Sequence, residues 1–482
     1  MAKLKHIIKQ LSHKDFESIH KQLMESNADK SAYLLKSMRE RQLSDTKIMN
    51  ELEVNTNAYY TLRSRLNQKI EEYLLQQMES PRTDLLKKVA NINEIIFTKK
   101  KAISVATLKK LEKELLDYDL SNELTVIYKA LKKLHINTPE HFHYSQAYNQ
   151  HVAYMLAVDK AEDLLADYFR KFGEYTLSGD ETGKLALTYV ANEMDNVCSV
   201  YNSHRLYVYQ NCLSVFHRLF ILEGEQTDDG KEPIEDIMDN VQKTFDQYYL
   251  DSIYFHLKLV FEFLRLEYYN HYKVYRKAEK YYEEVNEVTA GLISNYSLYT
   301  YPPQFLMTKL NRAIRLKCEH ELYEENTNLF LGYECDTDNL PSYVSYVVYR
   351  ALSCYYSAKY DEASKYINNL LNDVSLKNYP SALLEVKCIL ALQYCCKKDF
   401  DLFQQLVNSI QRQIRILGKE KCEAVVLFIK ILRIAISDSK RDKANKIRSL
   451  VSKLEAIPKE KYFTPTRMIE MDESFVEILA SL

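Results

Sequence analysis

Residues 350–367 read RALSCYYSAKYDEASKYI, and they contain two segments of helical character on either side of the short break Ser357-Ala358-Lys359. In each segment apolar side chains recur three or four positions apart, which is the spacing of one face of an amphipathic helix. No strand-like alternation of apolar and polar residues interrupts the pattern. The stretch therefore predicts a pair of helices joined by a short turn.

The same arrangement recurs along the second half of the chain. A proline opens each of three successive units at a spacing of 39 residues: Pro302, Pro341 and Pro380. Proline is favoured in the first turn of a helix, where its missing N–H would have no partner inside the helix. About 20 residues after each proline, an aromatic residue precedes the second helical segment: Tyr323, Tyr360 and Phe400. Each unit is thus predicted to be helix, turn, helix and loop.

The composition of the 482 residues points to the same class of fold. Only 8 glycines and 9 prolines are present, so the chain lacks the residues that tight hairpins and phosphate-binding loops depend on. Apolar residues make up 46% of the chain, which is enough to bury a large core. We therefore expect an all-α protein rather than a sheet-based or nucleotide-binding fold.

The unit around residues 350–367 resembles a tetratricopeptide repeat. Ala351 and Ala363 occupy the places of the small residues that let the two helices of such a repeat pack closely. Tyr360 occupies the place of the aromatic residue near the turn, and residues 275–282 repeat the pattern. The resemblance implies a right-handed superhelix of stacked helix pairs, because each pair is apolar on both faces and is stabilised by its neighbours.

The change of pattern along the chain divides it into three parts. Residues 1–82 are expected to form a small helical domain, residues 83–107 a basic connecting segment, and residues 108–482 the array of helix pairs. The two ends of the chain are basic and the middle is acidic, although the net charge is only −2. This distribution fits either an anionic partner at the ends or contacts within the molecule and simple solvation.

Residues 45–62 read DTKIMNELEVNTNAYYTL and resemble a helix-turn-helix whose second helix, capped by Asn55 or the next residue, continues to Gln77. Ile48 is one of the apolar residues that would pack the two helices, and Glu53 replaces the usual glycine of the turn. The outward-facing residues of the second helix are the nucleic-acid candidates: Thr56, Asn57, Tyr60, Arg63 and Asn67. Such side chains contact base edges and phosphates, and the alternative is a helical cap with a polar surface.

In a tetratricopeptide array the first helix of each pair lines a concave groove. Carried onto this chain, the groove candidates are Asn270, Asn311, Arg315 and Tyr355, with Thr308, Ser345 and Glu385 at further lining positions. Asn311 and Arg315 lie one helical turn apart and are suited to an anionic group. Apolar residues such as Val348 and Leu392 replace the rest of the family's carboxylate clamp, so an apolar or mixed groove, or closure by a further helix, is expected.

The sequence contains none of the short motifs that accompany hydrolase, phosphate-binding or metal-dependent chemistry. The nearest approach to a metal site is His141, His143 and His151, for which exposed or capping roles are expected instead. The nine cysteines are scattered and fit reduced thiols. We therefore expect no enzymatic activity, no cofactor and no metal.

Residues 1–11 lack the apolar run of a signal peptide, and no stretch is apolar enough for a membrane span, so a cytoplasmic protein without membrane contact is expected. The leading hypothesis is a protein–protein interaction scaffold that presents its groove to a protein or peptide. The alternative is a DNA-binding transcriptional regulator with an N-terminal helix-turn-helix and a repeat domain that senses a peptide or forms a dimer. A structural subunit of a larger assembly is the third hypothesis.

Overall fold

The computed structural model describes residues 4, 7–8, 11, 13–26, 28–41, 45–77, 81–201, 203–222, 232–249, 253–295, 302–330, 333, 335–437, 442–458 and 463–482. The chain is 83% helical, and the described residues contain no strand, which confirms the all-α class. It forms two compact units, Met1–His151 and Val152–Leu482.

The first unit contains helices of short and medium length. In its described part they are α1 (His13–Glu25), α2 (Asp29–Lys36), α3 (Asp45–Glu51), α4 (Thr56–Gln77), α5 (Pro81–Ala90), α6 (Ile92–Thr98), α7 (Lys101–Asp117) and α8 (Ser121–Leu134), with a π-helical turn at Ser37–Arg41. Helix α9 (Glu140–Ser178) begins in this unit and continues into the second.

Two apolar cores stabilise the described part of the first unit. The earlier core joins α1, α2 and α4, where Ile19, Leu35, Tyr59 and Leu66 are buried. The later core joins α5 to α8. Residues 83–107, which the sequence predicts to be a connecting segment, form most of α5, all of α6 and the beginning of α7. They contribute several buried side chains to the later core: Leu85, Val89 and Ile92.

The second unit continues from α9 with longer helices. Its described part contains α10 (Glu181–Val200), α11 (His204–Phe220), α12 (Ile234–Gln247), α13 (Ile253–His271), α14 (Tyr275–Asn295), α15 (Pro302–Leu316), α16 (Glu319–Leu329), α17 (Leu340–Tyr356), α18 (Tyr360–Asp373), α19 (Pro380–Cys396), α20 (Phe400–Leu417), α21 (Glu423–Ala435), α22 (Lys443–Glu455) and α23 (Glu473–Ala480). Two short 3-10 turns lie at Glu420–Cys422 and Pro465–Met468.

Consecutive helices of the second unit pack as adjacent pairs. Helix α13 packs on α14, α17 on α18, α19 on α20, and α21 on α22. Contacts also skip one helix, since α15 packs on α17 and α19 packs on α21. This packing is compatible with an α-solenoid, in which each helix pair is stabilised by its neighbours.

Four helix pairs of the second unit are joined by the same kind of turn: α13–α14, α15–α16, α17–α18 and α19–α20. A residue in the left-handed conformation follows the first helix, with φ from 56° to 63°, at Lys273, Lys317, Ala358 and Lys398. The N–H of the next residue donates to the carbonyl five positions back, as Lys359 does to Cys354 at 2.8 Å. This is the C-cap geometry at which helices usually carry glycine. In these four turns lysine or alanine occupies the position instead of glycine. The scarcity of glycine, with only 8 in the chain, therefore does not prevent these turns from forming.

Tyrosine rings pack between the helices of the second unit, and their hydroxyls reach polar groups of a neighbouring helix. Three such hydrogen bonds run from Tyr349 to Asn326, from Tyr343 to Asp373 and from Tyr323 to Glu362, at 2.7, 2.8 and 2.9 Å. Burial, together with the acceptor carboxylates, raises the pKa of Tyr323 and Tyr343 to about 12. These hydroxyls therefore stay protonated and tie the helices together across the physiological pH range.

All nine cysteines are free thiols. Burial raises the pKa of Cys212 and Cys354 to about 12, so these two thiols are protonated and poor nucleophiles. None of the helices that the structure describes combines the length and the hydropathy needed to cross a bilayer.

Candidate functional site

The four groove candidates lie on first helices of the second unit, but no contact gathers them into one site. Asn270 is half-buried near the end of α13, Asn311 is exposed on α15, and Tyr355 is buried near the end of α17. Arg315 is half-buried on α15, one turn after Asn311. In the described part of the chain, no hydrogen bond or ion pair joins two of the four.

Arg315 is engaged by the neighbouring helix α14. Its guanidinium carbon lies 3.7 Å from the centre of the Tyr275 ring, and its Nη2 lies 3.9 Å from Glu279 Oε2. Arg312 lies 4.0 Å from the centre of the Tyr282 ring and donates from Nε to Glu279 Oε1 at 2.7 Å. The two guanidinium groups of this face are therefore already engaged by one carboxylate and two aromatic rings of the same chain.

Two other polar residues of α15 serve contacts inside the fold. Lys309 is 1% exposed, and its Nζ donates to Asn286 Oδ1 at 2.9 Å and to Glu325 Oε1. Burial lowers the pKa of Lys309, while the hydrogen bond to Glu325 acts in the opposite direction. Thr308, a predicted lining residue, is buried and donates to Glu267 Oε1. This part of the predicted groove is thus a polar helix interface.

An irregular segment near the end of the chain, residues 463–471, lies against the first helices α17 and α19. We refer to it as the C-terminal strap. It contains the 3-10 turn Pro465–Met468, which packs on α19. Pro465, Thr466 and Ile469 are buried, and Phe463, Met468 and Met471 pack against the apolar core of the repeats. The strap thus covers a face that the sequence predicts to line the groove.

Glu385 on α19 binds the strap at Thr466. Its Oε2 accepts from the backbone N–H of Thr466 at 3.1 Å and from the Thr466 hydroxyl at 2.6 Å. Both residues are 4% exposed. A buried carboxylate needs hydrogen bonds to offset the loss of water, and a threonine supplies two of them from one residue. Glu385, a predicted lining residue, is therefore a recognition residue for the strap.

Tyr356 at the end of α17 binds the main chain of the strap. Its hydroxyl donates to Met468 O at 2.7 Å and accepts from Glu470 N–H at 2.8 Å. These contacts involve only backbone atoms of the strap, so they hold the strap in register without selecting its sequence. The strap is also held at its first residue, where Phe463 N–H donates to Thr176 O on α9 at 2.7 Å.

Arg467 ties the strap to the end of α22. Its Nη1 donates to Leu454 O at 2.6 Å and its Nη2 donates to Ile457 O at 3.3 Å. The arginine therefore satisfies carbonyl groups that follow or end that helix, as cationic side chains do at helix C-termini. Arg467 therefore connects the strap to the end of α22.

Glu385 is among the predicted groove residues, whereas Tyr356 and the strap are not. Tyr356 directly follows the candidate Tyr355, and consecutive residues of a helix face different directions. The strap has no helical period from which its position could be predicted. Thr464-Pro465 does indicate irregular backbone at this point, because a residue before proline is biased away from the helical conformation.

Gln393, two turns after Glu385 on α19, is completely buried. Neither its Oε1 nor its Nε2 has a hydrogen-bond partner among the described residues. An unpaired buried amide is costly, so this side chain destabilises the helix packing around it.

An open depression of about 550 Å³ lies beside the turn between α17 and α18. Lys397 Nζ and Asp361 Oδ1 lie 2.8 Å apart at its edge, and the lysine lowers the pKa of Asp361. The ion pair is partly exposed and therefore contributes little to stability.

The predicted histidine cluster is engaged with backbone. His141 Nδ1 lies 3.0 Å from Lys132 O, and His151 Nδ1 lies 3.1 Å from Ala147 O. Within the described ranges, no group of three or more His, Cys, Asp and Glu side chains is arranged to hold a metal ion.

The hairpin of α3 and α4 is the second candidate site. Glu53 lies between the two helices and has a φ of 52°. Val54 N–H donates to Met49 O at 3.1 Å, and Asn55 Oδ1 accepts from Ala58 N–H at 2.9 Å, so Asn55 caps α4. Glu53 thus adopts the left-handed conformation that favours glycine, at the position where the helix-turn-helix resemblance expects one.

One face of α4 is buried and another is open. The buried stripe consists of Tyr59, Leu66, Ile70 and Tyr73. Tyr60 is 44% exposed beside this stripe. Thr56 and Asn57 belong to the first turn of α4, but their side chains lie outside the described part of the structure.

The remaining nucleic-acid candidates lie further along α4. Arg63 is half-buried, and its guanidinium carbon lies 5.8 Å from the centre of the Tyr59 ring. Asn67 is half-buried and donates from Nδ2 to Glu71 Oε1 at 2.7 Å. Arg65 is exposed. The helix therefore presents an aromatic ring, an amide and cationic groups, which is a chemistry suited to phosphates and bases.

Comparison with known proteins found no matching protein-family model, no matching curated protein and no matching solved structure. The likeness to tetratricopeptide repeats and to a helix-turn-helix is therefore carried by the residues and contacts of this chain alone.

Proposed function

We propose that the chain is a non-catalytic, cytoplasmic interaction scaffold whose tetratricopeptide-like helix pairs present a groove to an extended segment of a protein or peptide. The observation that supports this proposal most directly is the C-terminal strap, an irregular segment held on two first helices by side-chain contacts. A surface that binds one such segment has the shape and the hydrogen-bonding groups to bind another.

The contacts also favour one mode of recognition over another. Tyr356 bonds the main chain of the bound segment, and Glu385 bonds an N–H and a hydroxyl. Arg315, the predicted anion-binding residue, already faces Glu279 and Tyr275. We therefore favour an internal segment of a partner as the ligand over a partner's terminal carboxylate.

A selection from displayed random peptides against the full chain tests this proposal. Enriched peptides should protect amides of the first helices α15, α17 and α19 from hydrogen exchange, and should leave the second helices α16, α18 and α20 unchanged. The second helices serve as the control within the same molecule. Failure to enrich any peptide, or protection confined to the second helices, contradicts a groove on the first helices.

DNA binding by the first unit is a second candidate function. The left-handed turn at Glu53 supports it, because this geometry occurs where a helix-turn-helix carries its turn glycine. The Asn55 cap and the exposed Tyr60 next to the buried stripe of α4 fit the same motif. In this alternative the chain is a transcriptional regulator, and its repeats sense a peptide or form a dimer.

Fluorescence anisotropy of labelled duplex DNA, measured with the full chain over a range of salt concentrations, tests the alternative. Each phosphate contact should contribute a slope of about −0.9 in the plot of log affinity against log salt. Changing both Arg63 and Arg65 to Ala should flatten the slope by about two contacts. Changing both Lys109 and Lys110 on α7 to Ala is the charge-matched control. An equal effect of the two double variants, or no binding at low salt, removes the DNA hypothesis.

A further inference from the structure

The C-terminal strap is a segment of this chain bound in the manner of a ligand. We infer that it is a built-in competitor of the partner: it occupies the peptide-binding face of α17 and α19, and an extended peptide with a serine or threonine at the position of Thr466 replaces it. This inference rests on the proposed scaffold function and specifies its ligand and its regulation.

The first support is the kind of contact that holds the strap. Tyr356 meets one carbonyl and one N–H of the strap, at Met468 and Glu470, with distances of 2.7 and 2.8 Å. Any residue supplies the carbonyl, and any residue other than proline supplies the N–H. Hydrogen bonds to the main chain give affinity for an extended peptide with little dependence on its side chains.

The second support is the selectivity of the Glu385 contact. One carboxylate oxygen accepts from both the N–H and the hydroxyl of Thr466, at 3.1 and 2.6 Å, and both residues are 4% exposed. Only serine and threonine carry a hydroxyl close enough to their own N–H to make this pair of bonds. The buried carboxylate therefore selects a hydroxyl-bearing residue at this position of the partner.

The third support is that part of the strap is anchored elsewhere. Arg467 bonds Leu454 O and Ile457 O, and Phe463 N–H bonds Thr176 O. These contacts add to the retention of the strap without using Glu385 or Tyr356. The strap can therefore be weakened by a change in its own residues while the face beneath it stays intact.

A labelled peptide with the sequence of residues 463–473, FTPTRMIEMDE, tests the inference by binding to full-length chains. Thr466→Val in the chain removes the hydroxyl, keeps the shape of the side chain and weakens the strap. The peptide should bind this variant at least about tenfold more tightly than the unchanged chain, since a lost hydrogen bond to a charged group has this order of effect. Adding Glu385→Met should remove the gain.

Two outcomes overturn the inference. In one, Thr466→Val leaves peptide binding unchanged while circular dichroism shows an intact fold. In the other, the double variant binds the peptide as well as Thr466→Val alone. If Thr466→Val lowers the helix content, Arg467→Ala is used instead to loosen the strap from α22. A labelled peptide with Val at the Thr466 position must then bind the Arg467→Ala chain more weakly than the unchanged peptide does. Failure here leaves the random-peptide selection unaffected, so the loss of this inference is distinguishable from the loss of the scaffold function.

Discussion

Lys398 is the most direct place to test the left-handed turns of the helix pairs. It is exposed, and its φ is 63°. A residue with a Cβ atom in this conformation is destabilised by roughly 1–2 kcal/mol relative to glycine. Glycine at this site relieves that strain, but it also increases the conformational freedom of the unfolded chain, which costs about 0.4–1 kcal/mol. Lys398→Gly should therefore stabilise the protein by about 0.5–1 kcal/mol.

The assay is urea unfolding of the full chain followed by circular dichroism, with the midpoint and the slope fitted for each variant. Lys365→Gly is the matched control, because Lys365 is an exposed lysine in the middle of α18. There glycine should destabilise the helix by about 1 kcal/mol. The two substitutions are chemically identical, so a difference in the sign of their effects reports the backbone conformation at each site. We expect Lys398→Gly to raise the stability and Lys365→Gly to lower it. A decrease in stability at both positions would falsify the left-handed conformation at Lys398 as a source of strain.

Two further predictions concern buried polar groups. Gln393→Leu should raise stability by about 1–2 kcal/mol in the same assay, because it removes a buried amide without partners among the described residues. The control is Gln413→Leu, which should lower stability by about 1 kcal/mol, because Gln413 Nε2 donates to Pro380 O at 2.8 Å. A loss of stability in both variants would show that the Gln393 amide has hydrogen-bond partners. Tyr343 has a pKa of about 12 in the folded chain against about 10 when unfolded, so its contribution to stability is complete below pH 10 and is lost as the pH rises through 12. Tyr343→Phe should therefore reduce stability at neutral pH and make it less dependent on pH in this range; unfolding curves with an unchanged alkaline slope would contradict the assignment.

Much of the fold could be predicted from local patterns. The prolines at 39-residue intervals, the helical period and the scarcity of glycine all report on backbone within one helix or turn, and the structure confirms an all-α chain of adjacent helix pairs. Tyr360 begins α18 directly after the left-handed turn, as expected for the aromatic residue that follows the break. The left-handed turns themselves were not predictable, because glycine, the usual signal, is replaced by lysine and alanine.

The candidate site was less predictable, for a physical reason. Thr466 and Glu385 are separated by 81 positions, and Met468 and Tyr356 by 112, so no local period reports on their contacts. Arg315 was predicted to face a ligand because its position in the helix is suitable. Its actual surroundings depend on Tyr275 and Glu279 of another helix. Positions within a helix indicate which face a residue occupies, whereas tertiary packing decides what that face meets.

The tether between the strap and the repeats determines how strong a partner must be. Residues 456–462 connect α22 to the strap, so the strap is never far from Glu385 and Tyr356. Because the strap and the face it covers belong to one chain, the strap has an effective concentration on the order of 1 mM at that face. A partner present at about 1 μM competes at a roughly thousandfold disadvantage, so its intrinsic affinity for the face must be about a thousand times that of the strap sequence. Weak hydroxyl-bearing peptides are thereby excluded. A partner gains the affinity that displacement requires if it also contacts first helices beyond the strap, for example at the exposed Asn311 on α15.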